Sequence, residues 1–254
     1  MSVLRSQIVK VLTIILVTIA AIAIQSRGAY AQCNGQYCQF NIGNYTVQND
    51  EWGLGSDPSG GQEIWPNGSG WYASMTWTMG SGGVKAYPSI FAGWNFGGWS
   101  PEPDGFPVKV NVNDNLPTST SWSTAGTFTN YDVAYDVFFS PNSDPSTPSA
   151  EMMVWVGGAN DTPVGSLVAS NVSLGGVGGT WNVWAGSNGS WPVYSFVRTA
   201  TANSFSANLQ PFVYYIAYTK GWLNQTWFIL DMEFGCEIQA GSGEFFDTFS
   251  GSAT

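Results

Sequence analysis

The chain has 254 residues, of which 44% are hydrophobic and only 9% are charged, with seven basic residues against seventeen acidic ones and a net charge of -10. The absence of any Lys/Arg cluster excludes a nucleic-acid partner, and the acidic balance opposes an anionic lipid surface while leaving a neutral polysaccharide indifferent. No histidine is present, so a Ser-His-Asp relay and a His-bearing zinc site are excluded, and proton transfer falls to a carboxyl with a raised pKa or to Lys, Tyr or Cys.

The N-terminus has Arg5 and Lys10, then an apolar run from Val11 to Ile24 and the small-x-small site Ala29-Tyr30-Ala31. This pattern predicts a secretory signal over 1–31, with a short membrane anchor as the alternative; the run is short for a bilayer span, which needs about 20 apolar residues. The mature chain, 32–254, then reads as one secreted, extracellular, monomeric domain with no membrane contact. Secretion suits the Asn-x-Ser/Thr sequons at Asn44, Asn67, Asn160, Asn171, Asn188 and Asn224, some of them chance matches in a Ser/Thr/Gly-rich chain. Cys33 and Cys38 are close enough to close a small oxidised loop and leave Cys236 as a free thiol; a pairing of Cys236 with one of the other two stays open.

Beyond the signal, helical periodicity gives way to short runs rich in Val, Ile, Thr, Tyr, Phe and Trp, separated by Gly, Asn, Pro and Ser clusters. These predict strands near 38–48, 50–54, 70–79, 83–91, 107–112, 119–127, 131–139, 150–157, 164–169, 179–185, 192–198 and 225–237, with a last one near 244–249. The segment 207–222 carries Leu209, Phe212, Val213 and Ile216 at helical spacing and predicts one helix, with Pro211 in its first turn. Many antiparallel strands and one helix imply an all-β sandwich or jelly roll. The chain contains 13 tryptophans, too many for one core. Most are expected to pack inside, while Trp52, Trp94, Trp99 and Trp155 are the candidates for a sugar-stacking surface. The Gly- and Trp-rich segment 93–106 is expected to extend a groove edge with Trp94 or Trp99.

Three segments set acids among strand hydrophobes. In "SAEMMVWVGG", Glu151, Met153 and Trp155 share one face of a strand. In "YDVAYDVFF", Asp132 and Asp136 share a face. In "WFILDMEFGCEIQA", Trp227, Ile229, Asp231, Glu233 and Glu237 are expected on one face and Phe228, Leu230, Met232, Phe234 and Cys236 on the other. Acids on the solvent face of antiparallel strands are common. Two acids facing each other across an aromatic groove, one protonated and one ionised, are the apparatus of glycoside hydrolysis.

The stretches "NYTVQNDEWG", "VAYDVF", "AEMMVWVGG", "TPVGS", "VWAGSNGSWPVYSFV" and "FGCEIQAGSG" resemble, in order and spacing, the motifs of glycoside hydrolase family 12 over nearly the whole mature chain. The resemblance implies a jelly roll whose concave sheet forms an open groove for a β-1,4-glucan, acting with retention. It implies Glu151 as nucleophile, Glu237 as acid/base and Asp136 as the carboxyl hydrogen-bonding near the nucleophile. Trp52 is implied to stack on a glucosyl unit, Met153 and Trp155 to line the groove, and Asp132 and Glu233 to contact substrate. Several positions depart from the family pattern: Asp50 stands in a segment that often reads Asn-Asn, Asp132 where Asn is common, Glu233 where Gln is frequent, and Cys236 where a small or aromatic residue is usual. Asp231 and Glu233 are expected to raise the pKa of Glu237 as like charges on its strand face. No metal, cofactor or nucleotide loop is expected; "GGVGG" at 175–179 lacks the Lys-Ser/Thr of a phosphate loop. The alternatives to an endo-β-1,4-glucanase on cellulose-like or mixed-linkage glucan are a xyloglucan-specific endoglucanase and a non-catalytic glucan-binding protein. The intact Glu151 and Glu237 argue against the last.

Overall fold

Two long strands organise the molecule, β8 (Pro117–Ser140) and β15 (Asp231–Gly251), which pair antiparallel along most of their length. They are seen in a computed structural model that describes residues 32–54, 59–78 and 83–254; the expected signal segment lies outside the described residues. Each long strand serves two layers. The half of β8 from Tyr131 to Asp136 and the half of β15 from Glu233 to Ile238 belong to a concave layer. Its order is β1 (Gln39–Ile42), β2 (Tyr45–Gln48), β5 (Ser89–Asn95), β15, β8, β9 (Ala150–Ala159), β12 (Pro192–Arg198), β11 (Trp181–Ser187) and β10 (Ser166–Val172). The other halves join β3 (Gly60–Asn67), β4 (Gly70–Trp77) and β13 (Ser204–Asn208) in an outer layer. Short strands β6 (Gly98–Trp99), β7 (Val108–Lys109) and β14 (Phe228–Ile229) complete the set.

Register irregularities fall where the long strands pass between layers, between Ile238 and Gly241 of β15. Gly241 has φ 146°, and a Cβ there would sit 2.7 Å from the Phe128 Cα, so only glycine allows the two backbones to close at this corner. The outer half of β8 alternates cleanly: Thr118, Thr120 and Trp122 are buried while Ser119, Ser121 and Ser123 are exposed. Its concave half is buried on both faces, one against the core and one beneath a cleft. The main core lies between the layers and includes Trp71, Trp181, Phe196, Phe212, Phe234 and Phe245. Residues 33–254 form one compact unit, mostly strand, as a jelly roll requires.

The helix is shorter than expected. Residues 207–208 end β13, helix α1 spans Gln210–Tyr214 with Pro211 in its first turn, and a π-helical turn follows over Tyr215–Thr219. Its Phe212 meets Trp181 edge-on at 4.8 Å and Phe196 at 4.9 Å, so tertiary packing holds an element too short to persist alone. Segment 38–48 is a hairpin with a turn at Gly43, not one strand, and 50–54 is a turn in which Asp50 takes φ 35°. "GGQEIWPN" carries Gly and Pro and so hides strand β3; Pro66 is tolerated because the outer edge of β3 is bridged only at Ile64, by Cys33, and no strand pairs there at Pro66. Cys33 and Cys38 form the disulfide, and Cys236 is a buried free thiol, which closes the alternative pairing.

The expected face of 225–237 is wrong before Asp231. Ile229 pairs with Phe139 and Glu233 with Asp136, so four steps on one strand match three on the other. This one-residue bulge inverts the alternation. Trp227 and Ile229 pack into the main core, while Phe228 and Leu230 join Phe138 and Trp94 in a small cluster on the cleft side. Asp231, fully buried, accepts the Phe138 N–H at 2.8 Å and so satisfies a backbone donor at the break.

Candidate active site

A cleft of about 840 Å³ crosses the concave layer. Three adjacent strands supply four of the acids that line it. On β9, Glu151 is the second residue and shares a face with Met153 and Trp155. On the central β8, Asp136 pairs with Met153 on one side and Glu233 on the other. On β15, Glu233 and Glu237 share a face. Glu151 pairs with Phe138 and Glu237 with Asp132, so Asp136 stands on the intervening strand between the two levels. The sequence alternation therefore delivers Glu151, Asp136, Glu233, Glu237, Met153 and Trp155 to one cleft wall, with Trp52 exposed at 53% along it.

Asp132 is the exception. It is fully buried and does not line the cleft. Its cross-strand neighbour is Glu237, whose pKa it lowers. Trp94 is also fully buried, and Trp99 does not line the cleft. The segment 93–106 contributes Asn95 and Phe96 instead; Phe96 packs on Phe138 at 5.4 Å and on Trp191 at 6.1 Å.

Trp191 was not singled out by pattern. Its Nε1–H donates to Glu151 Oε2 at 2.7 Å. The turn "SNGSW" presents it: Asn188 Oδ1 accepts the N–H groups of Ser190 and Trp191, and Ser187 Oγ donates to the Trp191 carbonyl. The visible signal was its place in "VWAGSNGSWPVYSFV", just before Pro192 opens the strand that pairs in parallel with β9. Tyr87 also lines the cleft and donates its hydroxyl to the Ala134 carbonyl at 3.0 Å.

Burial dominates the electrostatics and favours neutral carboxyls. It lifts Glu151 from 4.5 to about 7 against the opposing Trp191 hydrogen bond. It lifts Glu237 to about 8, opposed by the neighbouring Asp132 and reinforced by the charges of Glu151 and Asp161. Asp136 is pushed well above the usual range by burial and then by Glu151, Glu237, Glu233 and Asp231. The expected influence of Asp231 and Glu233 on Glu237 is replaced by that of Glu151, on β9, and Asp161, just after it, rather than of charges along its own strand. Glu233, lifted to about 7 by burial, accepts from Ser89 Oγ at 2.5 Å, Gln48 Nε2 at 2.6 Å and Asn95 Nδ2 at 3.1 Å. Chemically, the wall offers one carboxyl that keeps its proton longer than another, over an aromatic floor. Among the described residues no group of His, Cys, Asp and Glu is arranged to hold a metal ion.

A family profile described as Glycosyl hydrolase family 12 matches residues 43–254. The chain is 32% identical over 216 residues to "Endoglucanase S" of Pectobacterium parmentieri, covering 81% of this chain and 80% of that one. It is 32% identical over 242 residues to "Xyloglucan-specific endo-beta-1,4-glucanase A" of Emericella nidulans, covering 92% and 94%. Among solved structures, a family 12 xyloglucanase from Bacillus licheniformis superposes with a TM-score of 0.80 at 30% identity, covering 88% of this chain and 100% of that one. Endoglucanase 3 of Trichoderma harzianum superposes with a TM-score of 0.77 at 28% identity, covering 91% and 100%.

Proposed function

This chain belongs to glycosyl hydrolase family 12 and is a glycoside hydrolase of the endo-β-1,4-glucanase type, and from that premise we propose that it cuts internal bonds of a β-1,4-glucan with retention of anomeric configuration. Glu151 attacks the anomeric carbon, and Glu237 protonates the leaving oxygen and then deprotonates the water that releases the glycosyl-enzyme. The observation that carries this reading is the unequal pair in one cleft. Glu151 gives up its proton first, held toward its ionised form by Trp191, while Glu237 retains its own. Asp136, held neutral between them, supplies its one carboxyl hydrogen to the ionised Glu151. Trp52, Met153, Trp155 and Glu233 form the glucan-facing surface.

A second substrate, xyloglucan, is favoured by the names of the relatives from Emericella nidulans and Bacillus licheniformis. Secretion is supported by the Cys33–Cys38 disulfide, a bond that persists in oxidising compartments. No helix among the described residues is long and apolar enough to cross a membrane. The test is a comparison of initial rates on carboxymethyl-cellulose, mixed-linkage β-glucan, xyloglucan and xylan, with the anomer of the first product followed by NMR. A β-anomer first product and rates highest on a β-1,4-glucan backbone are expected. An α-anomer first product would replace the nucleophile with a base, and activity on xylan alone would overturn the substrate class.

A further inference from the structure

Six carboxyl side chains line the cleft, those of Asp50, Asp136, Glu151, Asp161, Glu233 and Glu237, and no Lys or Arg lines it among the described residues. Hydrolysis as proposed employs Glu151, Glu237 and Asp136. Asp50, Asp161 and Glu233 make no bond in that reaction, and two of them use up the donors beside them. Gln48 commits both amide hydrogens, one to Glu233 and one to Ser89 Oγ, and the Ser89 hydroxyl itself donates to Glu233. Asn95 also donates to Glu233, and Gln239 donates to Asp161 at 2.6 Å. Six carboxyls then supply acceptor oxygens to this wall with no cationic side chain among them, while Trp155 Nε1 is a buried donor there without a partner. Two of those oxygens are buried without a partner, Oδ1 of Asp136, a residue only 7% exposed, and Oδ2 of Asp161.

A glucosyl hydroxyl both donates and accepts but brings no charge to balance six carboxyls. The complementary group is one that donates three hydrogens, accepts none and carries positive charge, and an ammonium is that group. On a β-1,4-linked chain the substitution costs no space, because a C2 amine occupies the volume of the hydroxyl it replaces. We propose that this cleft also binds and hydrolyses β-1,4-linked chains containing 2-amino-2-deoxyglucosyl units, with Asp50, Asp161 and Glu233 as the counter-charges of the ring ammonium groups.

This activity rests on the glucanase reading, since the same pair performs it. Glu237 gives its proton to O4 as the C1–O4 bond breaks, and Glu151 takes C1. Water then supplies the hydroxyl at C1 and returns a proton to Glu237, so nothing beyond water is consumed. On the reacting ring an ammonium opposes the charge developing at C1, and the ionised Glu151 offsets it. In the other rings the ammonium groups displace the protons that burial holds on the surplus acids.

The test compares cellohexaose with the fully deacetylated glucosamine hexamer below neutrality, where the amines are protonated. Cleavage of the glucosamine hexamer with a kcat/KM within about tenfold of cellohexaose is expected. Its kcat/KM should fall as salt rises toward about 1 M while that for cellohexaose holds, because screening acts only on the charged chain. Asp50→Asn, which keeps a residue suited to a left-handed φ, and Glu233→Gln should each lower the ratio of the two kcat/KM values at least about fivefold. Cellohexaose cleavage with no cleavage of the glucosamine hexamer overturns the proposal and leaves the glucanase reading standing. A ratio unchanged in both variants overturns the role of the surplus acids. Failure to cleave either hexamer overturns the glucanase reading and this proposal with it.

Discussion

The indole of Trp191 donates to Glu151 Oε2 at 2.7 Å, joining the turn after β11 to the first residue pairs of β9. A neutral donor aimed at a buried carboxyl favours its ionised form, the form a nucleophile requires. Trp191→Phe keeps an aromatic ring against Phe96 and Phe138 but removes that donor. The Glu151 pKa then rises, so the ascending limb of kcat/KM against pH is expected to move to higher pH, with the descending limb unchanged. An ascending limb that stays in place would detach Trp191 from the nucleophile.

Glu151→Gln should lower turnover by at least about a thousandfold while oligosaccharide binding stays near normal, because the amide keeps the shape but cannot attack C1. Single-turnover kinetics and calorimetric binding check the two halves separately. Activity within about tenfold of the parent would assign the attack to another residue.

The descending limb belongs to Glu237, which must be protonated, with a pKa near 8. Asp161→Asn removes a like charge that raises it, so this limb should move to lower pH. Glu233→Gln should leave that limb in place. The two glutamates are four residues apart on one extended strand, roughly 13 Å along it, and Glu233 is absent from the charges that act on Glu237. Measured profiles in which Glu233→Gln moves the limb and Asp161→Asn does not would reverse this assignment.

Trp52 stands 53% exposed in a turn beside the cleft. Trp52→Ala is expected to raise KM on long oligosaccharides with Tm within about 2 °C of the parent, since little is removed from the core. A large loss of Tm with unchanged kinetics would make Trp52 a packing residue.

Asp247 is buried in the core between the layers, accepting from Thr120 Oγ1 at 2.5 Å and Trp71 Nε1 at 3.3 Å, and burial lifts its pKa from 3.8 to about 7. A raised carboxyl pKa binds the proton more tightly in the folded state. Its stability contribution is complete below the unfolded value and is lost as pH rises through the folded one, an effect on the order of 4 kcal/mol for a shift of this size. Asp247→Asn carries its own cost of imperfect pairing at every pH, but that cost is flat. The gap in Tm between parent and variant should therefore narrow between pH 4 and pH 8. A gap independent of pH would mean Asp247 is ionised throughout.

The sequence by itself determined the layer architecture and the placement of most of the cleft acids. Period-two alternation around Glu151, Asp136 and Glu237 is a property of the extended backbone, and it commits each side chain to a face before any partner is chosen. Absence of histidine likewise left the chemistry to carboxyls. Tertiary structure decided what alternation cannot carry. The bulge before Asp231 inverted one strand's faces because register is set by the partner strand, β8, and not by the strand's own pattern. Asp132 and Glu237 look equally available in sequence, yet Asp132 is fully buried while its strand neighbour Glu237 lines the cleft. Trp191 reaches Glu151 across forty positions of sequence through a parallel pairing of β9 and β12, and Asp161 acts on Glu237 through space. Burial is the common reason. It depends on every layer closing over the site, and it sets which carboxyl holds its proton.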